Sequence, residues 1–173
     1  IIGGLKSIAR VTGKLVPFMA VTYLLLALTV IFINADKIPW AISAILTEAF
    51  APQAVAGGMI GAMILGFRRA VFSNEAGIGS AAIAHSTVKT KEPVTEGYVG
   101  LIEPFIDTVV ICAITSLVIL TTIYEPGVGD TGVKGIELTS SAFASTLSWS
   151  AGPLAIIAIL FAFSTMISWS YYG

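Results

Sequence analysis

Long runs of apolar residues are the feature that most limits how this chain can fold. Residues 17–33 are almost wholly apolar, and another apolar run follows Pro153. A helix needs about 20 such residues to cross a bilayer core of about 30 Å. In lipid the backbone must satisfy its own hydrogen bonds, as helices do. We therefore predict an all-α polytopic membrane protein. Its predicted spans are residues 17–33, 57–87, 96–122 and 151–173.

The composition agrees with a membrane protein. Charged residues make up 11% of the 173 residues, whereas soluble domains have roughly 25%. The net charge of −1 gives no indication of nucleic-acid binding, and the single Cys112 excludes a disulfide framework or a cysteine metal site within the chain. We expect the lipid bilayer as a partner, and neither covalent chemistry nor an organic cofactor.

The second predicted span is interrupted by a polar stretch that contains two glycines, Phe72-Ser73-Asn74-Glu75-Ala76-Gly77-Ile78-Gly79-Ser80. An ionised carboxylate at bilayer depth costs at least a few kcal/mol, so such a residue usually faces a cavity or a protein interior. Glycine adopts backbone angles that other residues avoid. We predict that residues 74–79 leave the helix and expose backbone groups to an ion or a polar ligand. The alternative is a kinked helix in which Glu75 pairs with a neighbour for stability alone.

Other polar residues within the spans are candidates for a gate or a secondary site. Arg68 precedes Glu75 by two helical turns, and Arg69 is the residue next to Arg68. We favour pairing with an acid or gating for these two arginines, and the alternative is that their long side chains snorkel to the interface. Asp107, inside the third span, is a site or gate candidate because of its charge. Thr108 begins a stripe of hydroxyl residues that could equally form interhelical hydrogen bonds. We expect His85 to lie near the membrane interface, where a lone histidine is more often structural than a ligand or a proton relay.

The remaining segments complete the predicted topology. Residues 1–14 have an amphipathic helix pattern, and residues 38–50 and 136–149 form two short helices that cannot span a bilayer. Lysine and arginine are more frequent at the N-terminal end and in the connector at 88–94, which places both in the cytoplasm. We interpret the chain as a fragment of a longer protein whose other helices are missing.

The stretch from Gly66 to Ser80 resembles the signature of the alanine or glycine:cation symporter family. Residues 105–108, 160–165 and 169–173 resemble further motifs of that family. The resemblance implies an inverted-repeat transporter bundle of the leucine-transporter type, in which two five-helix halves each begin with a broken helix. The second span would then be the broken helix of the second half. The first half's broken helix, the other wall of the site, would be among the missing helices.

The resemblance also implies roles for individual residues. Those assigned to substrate binding are Phe72, Ser73, Asn74, Glu75, Gly77, Ile78, Gly79 and Trp169. Ser164, Thr165 and the Phe161 carbonyl would bind sodium, a hard cation that prefers oxygen ligands. Without the resemblance, hydroxyls in such a pair most often bond to their own backbone.

The function implied is sodium-coupled symport of a small neutral amino acid, alanine or glycine, by alternating access in a prokaryotic plasma membrane. Sodium would be the coupling ion. Two other functions remain as alternatives, a pore-forming channel subunit and a structural membrane subunit. The second alternative leaves Asn74, Glu75 and Asp107 without a reason.

Overall fold

A computed structural model describes residues 4–49, 59–75, 77–125 and 135–172, and the structural statements below concern those residues. They form helices and connecting loops, which confirms the all-α prediction. The α-helices are α1 (Gly4–Ile33), α2 (Ile38–Ala49), α3 (Met59–Ser73), α4 (Ser80–His85), α5 (Pro93–Pro104), α6 (Ala113–Thr122), α7 (Ile136–Thr146) and α8 (Ala151–Tyr172). A 3₁₀ turn covers Ala35–Lys37, and a π-helix covers Phe105–Cys112.

Three stretches of described helix are long and apolar enough to cross a membrane, namely Arg10–Ile33, Pro93–Thr122 and Ala151–Ser170. The predicted second span is not one of them, because its helix stops at Ser73 and resumes at Ser80. The first helix is longer than the predicted apolar run. It begins at Gly4 and continues through Pro17, so the amphipathic stretch and the first span form one helix.

The third span differs from its prediction in two ways. It begins at Pro93 rather than at residue 96, because proline is favoured in the first turn of a helix, where its missing N–H is not needed. Its middle is the π-helix, which a pattern with a period of 3.6 residues cannot predict. Pro104 precedes the π-helix and cannot donate a backbone hydrogen bond, which is a known cause of local changes in helix geometry. The two short helices, α2 and α7, lie where the sequence predicts them.

The chain divides into two compact units, which are described separately. The first unit contains α1, nearly all of α6, α7 and α8, and α1 and α7 both pack against α8. Its apolar core consists of Ala27, Val30, Ile31, Val118, Ala142, Phe143 and Leu154. Phe143 is fully buried, and its ring centroid lies 5.8 Å from that of Tyr23.

Two polar contacts supplement this core. The Tyr23 and Thr115 hydroxyls are 2.5 Å apart and join α1 to α6. At the end of α1, the Asn34 amide donates to the Val30 carbonyl at 2.9 Å and to the Thr146 hydroxyl at 3.1 Å. Apolar packing and hydrogen bonds between helices therefore stabilise the first unit together.

The second unit contains most of α2 and then α3, α4, α5 and the π-helix. Among its described residues, Ala41 and Ser80 are the buried ones. Its hydrogen bonds include contacts at both ends of α4, between Ser80 and Glu75 and between His85 and Glu96. This unit contains the interruption that the sequence predicts.

Candidate functional site

The chain leaves the helix between Ser73 and Ser80. The positive φ angles in this linker are +52° at Glu75, +79° at Gly77 and +89° at Gly79. Such left-handed angles are accessible to glycine and uncommon for other residues. The prediction of non-helical geometry over residues 74–79 is confirmed at every described position, and Ala76 lies outside the described residues.

Glu75 holds the linker in a turn. The Ile78 N–H donates to the Glu75 carbonyl at 3.3 Å. The Ser80 hydroxyl donates to Oε2 of Glu75 at 2.5 Å, and Ser80 is only 6% exposed. The Glu75 side chain therefore connects the linker to the first residue of α4.

Asp107 lies in the π-helix and contacts the end of α3. The Ser73 hydroxyl donates to Oδ2 of Asp107, and the Asn74 amide reaches the same oxygen at 3.5 Å. The Thr108 hydroxyl is 3.4 Å from Oδ1 of Asn74 and can donate to it. Residues that the sequence assigns separately to substrate binding (Ser73, Asn74) and to a gate (Asp107, Thr108) thus meet at one place.

This cluster consists of a carboxylate, an amide and two hydroxyls beside an opened backbone. The salt bridges between described residues both involve His85, so the partners seen for Asp107 and Glu75 in the described part of the chain are neutral. Such a group of oxygens can bind a cation or the ammonium group of an amino acid. No cluster of three or more His, Cys, Asp or Glu suited to a metal ion occurs among the described residues.

The predicted relation between Arg68 and Glu75 is wrong. Both were expected on one helical face, but α3 ends at Ser73 and Glu75 has a left-handed backbone. Arg68 and Arg69 are exposed on α3, and neither forms a salt bridge with a described residue. A gating role for the two arginines stays a prediction.

Ser164 and Thr165 lie on α8 in the first unit. Both hydroxyls donate to the Phe161 carbonyl, at 2.8 Å and 3.0 Å. Ser164 is 6% exposed, whereas Thr165 is exposed. This is the bonding to its own backbone that such a pair most often makes. A hydroxyl that donates its hydrogen still has lone pairs for a cation. The arrangement therefore brings three oxygens together, and sodium binding by them stays a prediction.

Three predicted wall residues of the chamber have exposed side chains. Phe72 and Ile78 flank the break in the second unit, and Trp169 lies one turn beyond Thr165 in the first. The structure places Ile78 inside the turn that Glu75 closes. Substrate binding by these residues stays a prediction.

Sequence reasoning missed the surroundings of His85. Its two ring nitrogens face Glu96 and Glu103 on α5, at 2.5 Å and 3.7 Å. The signal in the sequence is the spacing of the two acids, which are seven residues apart and therefore lie on one helical face. These contacts join the end of α4 to α5.

Comparison with known proteins gives one family. A family model described as the sodium:alanine symporter family matches residues 1–173. The Methanococcus maripaludis protein named Sodium/alanine symporter AgcS is 41% identical over 174 residues. Two Bacillus subtilis proteins are also similar, Probable sodium/glutamine symporter GlnT at 39% over 175 residues and Amino-acid carrier protein AlsT at 37% over 175 residues.

These alignments cover all of this chain but only part of each relative. The chain spans 38% of the Methanococcus protein, 36% of GlnT and 37% of AlsT. The expectation that the sequence is a fragment of a longer transporter is confirmed.

Proposed function

This chain belongs to the sodium:alanine symporter family, a family of multi-pass membrane transporters rather than enzymes, and from that membership we propose that the full-length protein carries a small neutral amino acid together with sodium. Alanine and glycine are the substrates that we favour. The observation that carries the proposal is the linker between α3 and α4, where a left-handed backbone lies beside Glu75 and a polar cluster forms around Asp107.

The linker offers what an amino-acid site needs. A carboxylate of the substrate would accept from free backbone N–H groups, and an ammonium group would donate to carbonyl or side-chain oxygens. Ser73, Asn74 and Glu75 supply such oxygens within a few residues. The apolar side chains of Phe72, Ile78 and Trp169 would then limit the size of the substrate side chain.

Sodium would bind to Ser164, Thr165 and the Phe161 carbonyl. Both hydroxyls lie within hydrogen-bond distance of that carbonyl. Both hydroxyl oxygens would offer lone pairs to the sodium ion. The carbonyl oxygen would bind the ion in place of the two hydrogen bonds that it accepts here. The remaining ligands, and the other wall of the substrate site, would come from helices outside this chain.

The transport cycle would be alternating access around this site in a leucine-transporter-type inverted repeat, with the α3–α4 linker as the broken helix of the second half. Sodium and substrate would together favour closure, because each adds contacts that the open state lacks. By linkage, sodium must then raise amino-acid affinity by the same factor by which the amino acid raises sodium affinity.

Two variants on α8 test this assignment in the full-length protein. Thr165→Val keeps the side-chain shape but removes an oxygen, so we expect a rise of tenfold or so in the sodium concentration for half-maximal uptake, which is about 1.4 kcal/mol. Trp169→Ala, one turn away, serves as the matched comparison. It should admit bulkier amino acids, glutamine among them, and leave the sodium requirement largely unchanged.

A sodium titration at several alanine concentrations should show the two variants to differ. Thr165→Val should need more sodium for half-maximal uptake, and Trp169→Ala should not. A wild-type sodium dependence in Thr165→Val would place the ion elsewhere, with Asp107 as the next candidate. Strong uptake of glutamine by the wild type, in preference to alanine, would overturn the assignment to small substrates and leave the sodium assignment standing.

A further inference from the structure

His85 is the last residue of α4 and lies between two carboxylates of α5. Its Nδ1 atom is 2.5 Å from Oε1 of Glu96, and its Nε2 atom is 3.7 Å from Oε2 of Glu103. Gly100 lies between these two acids and against the ring. A Cβ added at Gly100 would be 3.6 Å from Nε2 of His85. The imidazole therefore rests on one face of α5 with a carboxylate at each nitrogen.

The number of ring protons decides how many of these contacts can form. A neutral imidazole has one N–H and one lone pair, whereas an imidazolium has two N–H groups. A neutral ring can donate to one carboxylate only, and its lone pair repels the other. We propose that His85, Glu96 and Glu103 form a proton-binding site that fastens α4 to α5 when it is occupied.

The ionisable side chains that contact the ring among the described residues are Glu96 and Glu103, both on α5. His85 is the only ionisable residue of α4. The depression beside the ring is lined by His85, Val88, Thr90, Pro93, Glu96, Gly97 and Gly100. The charged residues of the connector, Lys89, Lys91 and Glu92, do not take part in the salt bridges found among the described residues. The side chains of His85 and Glu103 are 28% and 71% exposed in this chain.

The position of α4 connects this site to the linker. The helix has only six residues, which is too short to be stable without outside contacts. Its first residue, Ser80, holds Glu75, and its last residue is His85. Fastening one end of so short a helix limits the movement of the other end. Loss of the proton removes the Glu103 contact, leaves the His85 end of α4 held by Glu96 alone, and so loosens the turn around Glu75.

Amide hydrogen exchange of the full-length protein in lipid nanodiscs tests this proposal. Histidine changes charge between about pH 5 and pH 8, so exchange of residues 80–85 is compared at those two values after correction for the intrinsic rates. We expect exchange to be roughly two- to fivefold faster at the higher pH, the size expected for one exposed ion pair.

Four variants sharpen the test. His85→Gln cannot change its charge and should abolish the pH difference, with fast exchange at both values. His85→Arg is permanently charged and should show slow exchange at both. Glu103→Gln should reduce the difference, whereas Glu92→Gln, a matched change on the connector, should retain it in full.

An unchanged pH difference in His85→Gln, or no difference in the wild type, would overturn the proposal. If His85→Gln does not fold, an undiminished difference in Glu103→Gln overturns it instead. The exchange is measured without sodium or amino acid. Its result is therefore independent of the proposed transport, and uptake assays can fail or succeed separately.

Discussion

The region around Phe143 and the region around Asp107 are held together by opposite means. Phe143 is fully buried in an apolar cluster where α1, α7 and α8 meet. Asp107 accepts hydrogen bonds from Ser73 and Asn74. The left-handed linker begins at the residue after Asn74. The first region gains its stability from close packing. The second region combines hydrogen-bonded polar groups with a left-handed backbone at Glu75.

This difference indicates a division of labour between scaffold and site. Strained backbone persists where the surrounding structure holds it, and it concentrates at binding sites. The segments that move in transport are drawn from the less stable parts of a protein. We therefore expect substitutions near Phe143 to affect stability, and substitutions near Asp107 to affect transport.

Phe143→Ala should have the largest effect on stability. It removes a fully buried ring and should lower the free energy of unfolding of the full-length protein by about 3–5 kcal/mol. Thermal denaturation in detergent measures the loss. Phe32→Ala, at a position 75% exposed in this chain, is the matched control and should change much less. Equal losses in both variants would contradict the assignment of the core.

A double-mutant cycle on Ser73 and Asp107 should show strong coupling in transport. Ser73→Ala and Asp107→Asn each remove one partner of a hydrogen bond. Their effects on uptake efficiency should deviate from additivity by about 0.5–3 kcal/mol. Asp36→Asn, an exposed aspartate in the 3₁₀ turn, should combine additively with Ser73→Ala. Additive behaviour of the first pair would mean that the contact has no part in transport.

Two glycine substitutions should have effects of opposite sign. An added Cβ meets no described atom of this chain within 4 Å at Gly77 or at Gly66, so within this chain the two sites differ in backbone geometry rather than in space. Gly77 has φ of +79°, and Gly77→Ala should cost about 1–2 kcal/mol of stability. Gly66 lies inside α3, and Gly66→Ala should stabilise by up to about 1 kcal/mol. Denaturation midpoints of the two full-length variants measure this. The same sign for both would contradict the left-handed linker.

The sequence predicted the break more accurately than the contacts around it. Glycines beside an intramembrane Asn-Glu pair predict an opened helix because both the backbone and the charge disfavour continuation, and residues 74–79 are non-helical wherever they are described. The same reasoning failed for Arg68, because two turns of spacing place residues on one face only if the helix continues.

Tertiary contacts could not be deduced from one sequence. Nothing in the local pattern relates Ser73 to Asp107, which are 34 residues apart. The π-helix changes the period on which a one-face argument depends. The partners of His85 lie on the next helix, and only the spacing of Glu96 and Glu103 indicated a shared face.

Uptake of labelled alanine into liposomes containing the full-length protein tests the central claim most directly. An inward sodium gradient is imposed, and the internal alanine concentration is followed over time. A symporter must accumulate alanine above its external concentration and lose that accumulation when the gradient is collapsed. Equilibration to the external concentration with or without sodium would contradict the account and favour a passive pore.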